Sequence, residues 1–386
     1  MTTPVAPDSG WPRRRLQAMA MALLKDPLLL ILLAGLAVLT AIEPGKVGHY
    51  AALVDWPTIA ALTGLLVLTQ GLELNGVLHR LGSWLIGRLA TERATALGLV
   101  LAAALLSTVL TNDVALFVVV PLTLGMCRIT GLPATKLIIF EALAVNAGSA
   151  LTPIGNPQNL FLWQLSAVSF QTFTLHMLPL VALLMLLLAG LTACVFRGSS
   201  ALPHSKEPPP PLDHRLLGVS LGLYIPFLIA TDLHQAGWAV AAVLLIFALL
   251  RPGVLAGVDW GLLLVFVLMF VDLRLLAGLE PVRQLMTRLD LARPQNLYAA
   301  GVGASQLISN VPAAIALAEY SSDWRVLAYG VNVGGFGLVV GSLANLIALR
   351  MAQDRRAWLS FHFYALPFLV VAMALGYALM FLGQRP

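Results

Sequence analysis

Charge is what this chain has least of: only 11% of its 386 residues are Asp, Glu, Lys or Arg, while 59% are hydrophobic. A soluble domain carries about a quarter charged residues. Long runs account for the deficit. Met177 to Phe196 and Val240 to Leu250 hold no charged residue, and Leu137 to Gln171 holds Glu141 alone. That pattern excludes a soluble enzyme, a disordered tail and a coiled coil. Cysteine is scarce as well. Cys127 and Cys194 lack C-x-x-C spacing, so neither a metal site nor a disulfide is expected. P-loop, dinucleotide-binding glycine, H-E-x-x-H and G-x-S-x-G motifs are all missing, so no enzyme and no cofactor is expected. What remains is an all-α polytopic membrane protein surrounded by lipid. The net charge of +5 then reads as loop charge that orients the chain, not as nucleic-acid affinity. Arg13, Arg14 and Arg15 precede an apolar stretch without a small-x-small cleavage site before Glu43, so the first span reads as uncleaved.

A helix needs about 20 apolar residues to cross the hydrocarbon core. That length places spans near 27–44, 56–72, 174–196, 214–231, 236–250, 259–277 and 361–383. Residues 73–92 and 280–291 mix arginine with leucine and read as interfacial amphipathic helices. Pro208 to Pro211 cannot be helical, so 198–213 reads as a solvated linker. The expected organisation is a cytoplasmic segment 1–26, a first repeat 27–197, the linker, and a second repeat 214–386.

Four regions depart from plain spans. Residues 95–128 are interrupted by Thr111-Asn112-Asp113 with about 15 residues on either side, too short to cross comfortably, and 298–319 by Ser309-Asn310-Val311-Pro312. Both read as re-entrant hairpins with polar tips. Residues 135–167 are broken by Thr152-Pro153-Ile154-Gly155-Asn156-Pro157-Gln158-Asn159, and 325–350 by Gly334, Gly335, Gly337 and Gly341. The two broken segments align without a gap. Val145-Asn146-x-Gly148 with Gly155-x-x-x-Asn159-Leu160 lies against Val331-Asn332-x-Gly334 with Gly341-x-x-x-Asn345-Leu346. Glycine and asparagine are not filler in apolar helices, so this is read as an internal duplication.

The spans and broken helices make about nine crossings. With the N-terminus inside, Lys46, Arg274, Arg283, Arg288, Arg293, Arg325 and Arg385 fall outside and the rest of the 23 basic residues inside. The two repeats are then inverted, with the C-terminus periplasmic.

A helix broken in lipid frees backbone groups at several kcal/mol each, so breaks persist where protein or a polar cavity satisfies them. Asparagine suits such a place because its amide both donates and accepts. Asn112, Asn146, Asn159, Asn310, Asn332 and Asn345 are therefore the site candidates, with Asn112, Asn159, Asn310 and Asn345 expected to line one cavity. Gly155 and Gly341 join them as points of close backbone approach. The alternative reading is that the asparagines only satisfy broken backbone. Glu141 reads either as a proton relay or as a partner for a freed backbone group. Asp272 and Arg274 read as a snorkelled pair near the outer interface, with a gate as the alternative.

Thr111-Asn112-Asp113 followed by Thr152-Pro153-Ile154-Gly155-Asn156-Pro157-Gln158-Asn159 resembles the ion transporter superfamily, which includes divalent-anion/sodium symporters, citrate transporters and arsenite permeases. The resemblance covers roughly residues 27–383 and is closest to a bacterial inner-membrane branch. It implies a scaffold and a moving transport domain, a homodimer in many members, and elevator-like alternating access. By the same resemblance, Asn112, Asn156, Asn159, Ser309, Asn310 and Asn345 would bind a small-molecule or ion substrate. Thr111, Asp113, Asn146, Thr152, Gly155, Asn332 and Gly341 would serve the coupling Na⁺ or H⁺. The dicarboxylate branch carries Ser-Asn-Thr at both tips, whereas here the third positions are Asp113 and Val311, so the dicarboxylate site is not reproduced. An anionic solute beside an ionised Asp113 would be repelled by about 4 kcal/mol at roughly 4 Å and an effective dielectric near 20, so Asp113 is expected to take a cation first. An Asp that only caps the second hairpin arm is the other reading of that residue. The expected function is cation-coupled transport of a small anion or oxyanion. Arsenite or antimonite efflux, cation/proton antiport and an ion channel are the alternatives.

Overall fold

The computed structural model describes residues 27–78, 80, 91–196, 198 and 211–382. The N-terminal segment, much of the first amphipathic stretch, residues 199–210 of the proline linker and Pro386 lie outside them. The described chain is helical throughout, with no β-strand. In chain order the principal helices are α1 (Pro27–Ile42), α2 (Trp56–Leu74), α3 (Glu92–Val109), α4 (Asn112–Thr130), α5 (Ala134–Ser149), α6 (Pro157–Ser166), α7 (Phe170–Val195) and α8 (His214–Asp232). They continue as α9 (Ala236–Leu250), α10 (Trp260–Gly278), α11 (Glu280–Arg288), α12 (Pro294–Ile308), α13 (Asn310–Ala318), α14 (Trp324–Val333), α15 (Leu343–Ala352) and α16 (Ala357–Tyr377), the last running on as π-helix to Leu382.

Side chains start many of these helices. Thr91 accepts from Ala94 N–H to open α3, Ser169 from Thr172 to open α7, Asp259 from Leu262 to open α10, and Asp323 from Val326 to open α14. Gly131 ends α4 at φ 71°, a left-handed conformation that glycine adopts without a Cβ clash.

Among the described residues, six helices are long and apolar enough to cross a membrane: α2, α3, α7, α8, α10 and α16 with its extension. The bent pair Pro27–Ile42 and Pro44–Leu53 would make a seventh. One feature differs from expectation. The arms of the first hairpin are 18 and 19 residues, not about 15, because Thr91 caps α3 early and α4 runs on to Thr130. The segment expected at 236–250 forms with those bounds as α9, ending before Pro252, which opens a separate short helix. The second amphipathic helix forms as expected: α11 buries no side chain, and Leu285 and Leu289 stay exposed.

By packing, the chain divides into two compact units. In one, α1 and the short helices up to Leu53 pack on α10. Gly35 of α1 faces Asp272 there: a Cβ at Gly35 would lie 3.2 Å from the carboxylate oxygen. Asp272 is buried, while Arg274 donates to Leu53 O at 2.7 Å and lies over the Phe270 ring. The expected Asp272–Arg274 pair is thus corrected, because residues two apart on a helix do not face each other.

The other unit holds the remaining helices, and its centre is α5. Every residue of α5 from Leu137 to Ser149 is buried, enclosed by α3, α4, α7, α15 and α16. Small residues let the backbones close in. A Cβ at Gly148 would stand 2.3 Å from Ala104 O of α3, and one at Gly330 of α14 would stand 2.9 Å from Tyr298 O of α12.

Candidate functional site

Helix α5 stops at Ser149 and α6 starts at Pro157; α14 stops at Val333 and α15 starts at Leu343. In lipid, the backbone groups freed at these breaks must find partners inside the protein. The second half of each broken helix packs on the first half of the other and on the adjoining hairpin. Helix α6 lies on α13 and α14, and α15 lies on α4 and α5. That crossing brings the candidate asparagines together.

Asn332 Nδ2 donates to Asn159 Oδ1 at 2.6 Å, and Asn146 Nδ2 donates to Asn345 Oδ1 at 2.7 Å. These are equivalent bonds, since Asn146 aligns with Asn332 and Asn159 with Asn345. The remaining amide atoms hold the breaks closed. Asn159 Nδ2 reaches Ala150 O and Thr152 O at 3.1 Å and Ser149 O at 3.4 Å, while Asn345 Nδ2 reaches Gly335 O at 2.9 Å. Asn156 caps α6 by accepting from Asn159 N–H at 2.9 Å. Its Nδ2 donates to Asn332 Oδ1 at 3.0 Å and to Ser149 Oγ at 3.1 Å. Ser342, at the position aligned with Asn156, donates to Asn146 Oδ1 at 2.9 Å.

The hairpin tips meet these loops. Asn112 N–H donates to Gly155 O at 2.9 Å, and the Thr152 hydroxyl donates to Thr108 O at 2.6 Å, tying the first loop to α3. Thr111 occupies the N-cap position of α4, and Asp113 lies in that helix's first turn, where a carboxylate suits the positive end of the dipole. Asn310 abuts the second loop, its Nδ2 3.2 Å from where a Cβ on Gly335 would be. Gln306 of α12 fastens that loop, donating to Gly334 O at 2.6 Å and accepting from Leu338 N–H at 2.8 Å. Ser309 sits at φ 75° and ψ 156°, a region that costs a non-glycine residue free energy and is found where function demands it.

All candidate asparagines are buried, and so are Thr111, Thr152 and Ser309. Two buried polar atoms here have no partner, Ser309 Oγ and Gln158 Oε1. Ser309 leads into α13 and Gln158 stands on α6, helices that pack on each other. A buried polar group without a partner asks for an explanation such as an ion or solute. Ser342, Ser149, Gln158 and Gln306 escaped the sequence reading. Ser342 was signalled by its alignment with Asn156, whereas Gln306 carried no signal. Among the described residues no group of three His, Cys, Asp or Glu converges as a metal site.

A family model described as citrate transporter matches residues 18–324. Inner membrane protein YbiR of Escherichia coli is 48% identical over 351 residues, covering 91% of this chain and 94% of that one. Uncharacterized transporter MJ0456 of Methanocaldococcus jannaschii is 31% identical over 333 residues, covering 82% and 86%. Silicon efflux transporter LSI3 of rice is 34% identical over 128 residues, covering 33% of this chain and 26% of that one. The chain therefore belongs to the citrate transporter family and is a membrane transporter, not an enzyme.

Proposed function

We propose that this protein is a cation-coupled secondary transporter for a small anion or oxyanion-type solute, working by elevator-like alternating access in a bacterial inner membrane. The observation that supports it most is the reciprocal bonding of Asn146 to Asn345 and of Asn332 to Asn159 across two broken helices. Equivalent bonds between aligned positions are what an inverted repeat produces around a shared axis. The reading is supported by the docking of both tips at the breaks, Asn112 on Gly155 O and Asn310 beside Gly335, which makes Asn112, Ser309 and Asn310 the proposed solute contacts. Ser309 Oγ and Gln158 Oε1 are the atoms free to contact a ligand in this conformation. The coupling cation, H⁺ or Na⁺, belongs at the first tip with Asp113. A second reading, export of a neutral hydroxide such as arsenite or silicic acid, is favoured by Val311 and Asp113 at the tips and by the partial likeness to a silicon efflux transporter.

Counterflow in proteoliposomes with citrate, arsenite and silicic acid tests both readings. Saturable counterflow marks a carrier, whereas conductance indifferent to a coupling gradient marks a channel and overturns the proposal. Asp113→Asn is expected to lose gradient-driven accumulation while retaining exchange. Unimpaired accumulation in that variant would put the coupling cation elsewhere.

The orientation follows from the basic residues, with the N-terminus and the 198–213 linker cytoplasmic and the C-terminus periplasmic. Reporter fusions at residues 205 and 386 are expected to label opposite sides. The same side for both would overturn the inverted arrangement.

A further inference from the structure

A buried carboxylate stands apart from the asparagine network. Glu141, on α5, has no exposed surface. It lies five residues before Asn146, about 7.5 Å along the helix. Its Oε1 accepts from the Thr123 hydroxyl of α4, and its Oε2 is buried without a partner. It does not bond the freed backbone of the α5–α6 break, so one of the two sequence expectations for it is removed.

Ionised carboxylates are rarely buried unless a cation or several donors meet them. Among the described residues one donor, the Thr123 hydroxyl, and no cation bonds Glu141. Cys127, buried, lies one turn beyond Thr123 on the same face of α4. Among the described residues, no charged or titratable side chain on the other elements around α5 bonds Glu141. Arg93 of α3 donates to Phe196 O, His176 of α7 packs on Trp324 and Tyr329, and His362 of α16 contacts Trp358 O and Val339 N. Lys136, at the start of α5, lies over the Phe196 ring. Tyr364 of α16 meets Phe140, the neighbour of Glu141, edge-on. Arg350 lies in the last turn of α15, Glu92 opens α3, and Arg128 lies in the last turn of α4. A metal ion would need several ligands, and the one thiol and one hydroxyl here do not supply them.

We propose that Glu141 is a proton-binding site in the unit centred on α5: a neutral carboxylic acid in this conformation, oriented by Thr123, that gives up its proton when the α4–α5 contact opens to water. The proton resides on Oε2, and deprotonation leaves a carboxylate that water must solvate, so proton loss and opening are linked. The inference deepens the transporter reading and rests on it only for the coupling role. It makes H⁺ a coupling ion through a residue on the broken helix, in addition to the cation proposed at the first hairpin tip.

Infrared difference spectra of the purified full-length protein, taken across a pH series, test the proton site without any solute. A neutral-carboxyl band is expected in the wild type and in Asp113→Asn, and is expected to vanish in Glu141→Gln, whose amide mimics the protonated acid. In Thr123→Val, which keeps the carboxyl, the band is expected to shift as its hydrogen bond is lost. An unchanged set of carboxyl bands in Glu141→Gln overturns the proposal, whatever transport shows. In proteoliposomes, using whichever of citrate, arsenite or silicic acid the wild type exchanges, Glu141→Gln is expected to retain counterflow and lose accumulation driven by a pH gradient. Wild-type-like accumulation in that variant overturns the coupling role. Absence of counterflow in the wild type with all three counts against the transporter reading instead, leaving the infrared result to decide the proton site.

Discussion

Asn159→Ala is expected to abolish transport and to lower the melting temperature of the purified protein more than Asn345→Ala does. The two residues hold equivalent positions, yet they do unequal amounts of bonding. Asn159 Nδ2 serves the carbonyls of Ser149, Ala150 and Thr152, and its Oδ1 accepts from Asn332. Asn345 serves one carbonyl, Gly335, and accepts from Asn146. Asn159 is fully buried, so alanine there leaves several polar groups without water to replace the lost partner. Each such group costs about 1–3 kcal/mol. Several together would consume much of the roughly 5–15 kcal/mol that holds an ordinary domain folded. A double-mutant cycle isolates the bond between the broken helices. Asn159→Ala and Asn332→Ala are expected to be non-additive by about 0.5–3 kcal/mol, as for contacting residues in general. Wild-type transport and stability in both Asn159→Ala and Asn345→Ala would remove the asparagine network from any role.

Gly155→Ala is the second change with a large expected effect. A Cβ at Gly155 would stand 2.3 Å from Ser149 O and 2.7 Å from Ser107 O. Both are backbone atoms and cannot swing aside as a flexible side chain could. Overpacking of this kind typically costs about 1–3 kcal/mol, occasionally more. The loss should reach beyond the loop, because Gly155 O accepts from Asn112 N–H and so docks the first hairpin tip. Transport is expected to fall with stability. Gly190→Ala supplies the contrast: Gly190 lies inside α7 with nothing within 4 Å of its Cβ position. There alanine should be neutral or stabilise by about 1 kcal/mol, the propensity difference in a helix interior. Thermal unfolding of the two variants in the same detergent checks the pair. Equal melting temperatures would show that the Gly155 approach is not tight.

The close approach at Gly155 and the asparagine bonds also show how far the linear chain can be read. Membrane class and helical content followed from composition, because lipid leaves a spanning backbone few alternatives. Both breaks and both hairpin tips were legible too. Thr-Asn-Asp and Gly-Asn-Pro-Gln-Asn inside apolar runs are expensive unless the fold needs them, and the duplicated Val-Asn-x-Gly marked equivalent positions. Helix ends were less legible. The Thr91 cap and the run of α4 to Thr130 lengthened the arms of the first hairpin.

By itself, then, the sequence determined a polytopic helical protein with two interrupted helices and a set of asparagines placed at the interruptions. Each of those features is a local cost of burying polar groups or breaking a helix in lipid, and a local cost is visible in the chain. Tertiary structure alone decided the partners. It set Asn332 against Asn159 and Asn146 against Asn345, turned Asp272 to Gly35 instead of to Arg274, and gave Glu141 to Thr123 rather than to the nearby break. Such pairings depend on which helix faces cross at a distance of many residues, and hydrogen-bonding capacity, which is what residue identity specifies, does not choose among the partners that crossing brings within reach.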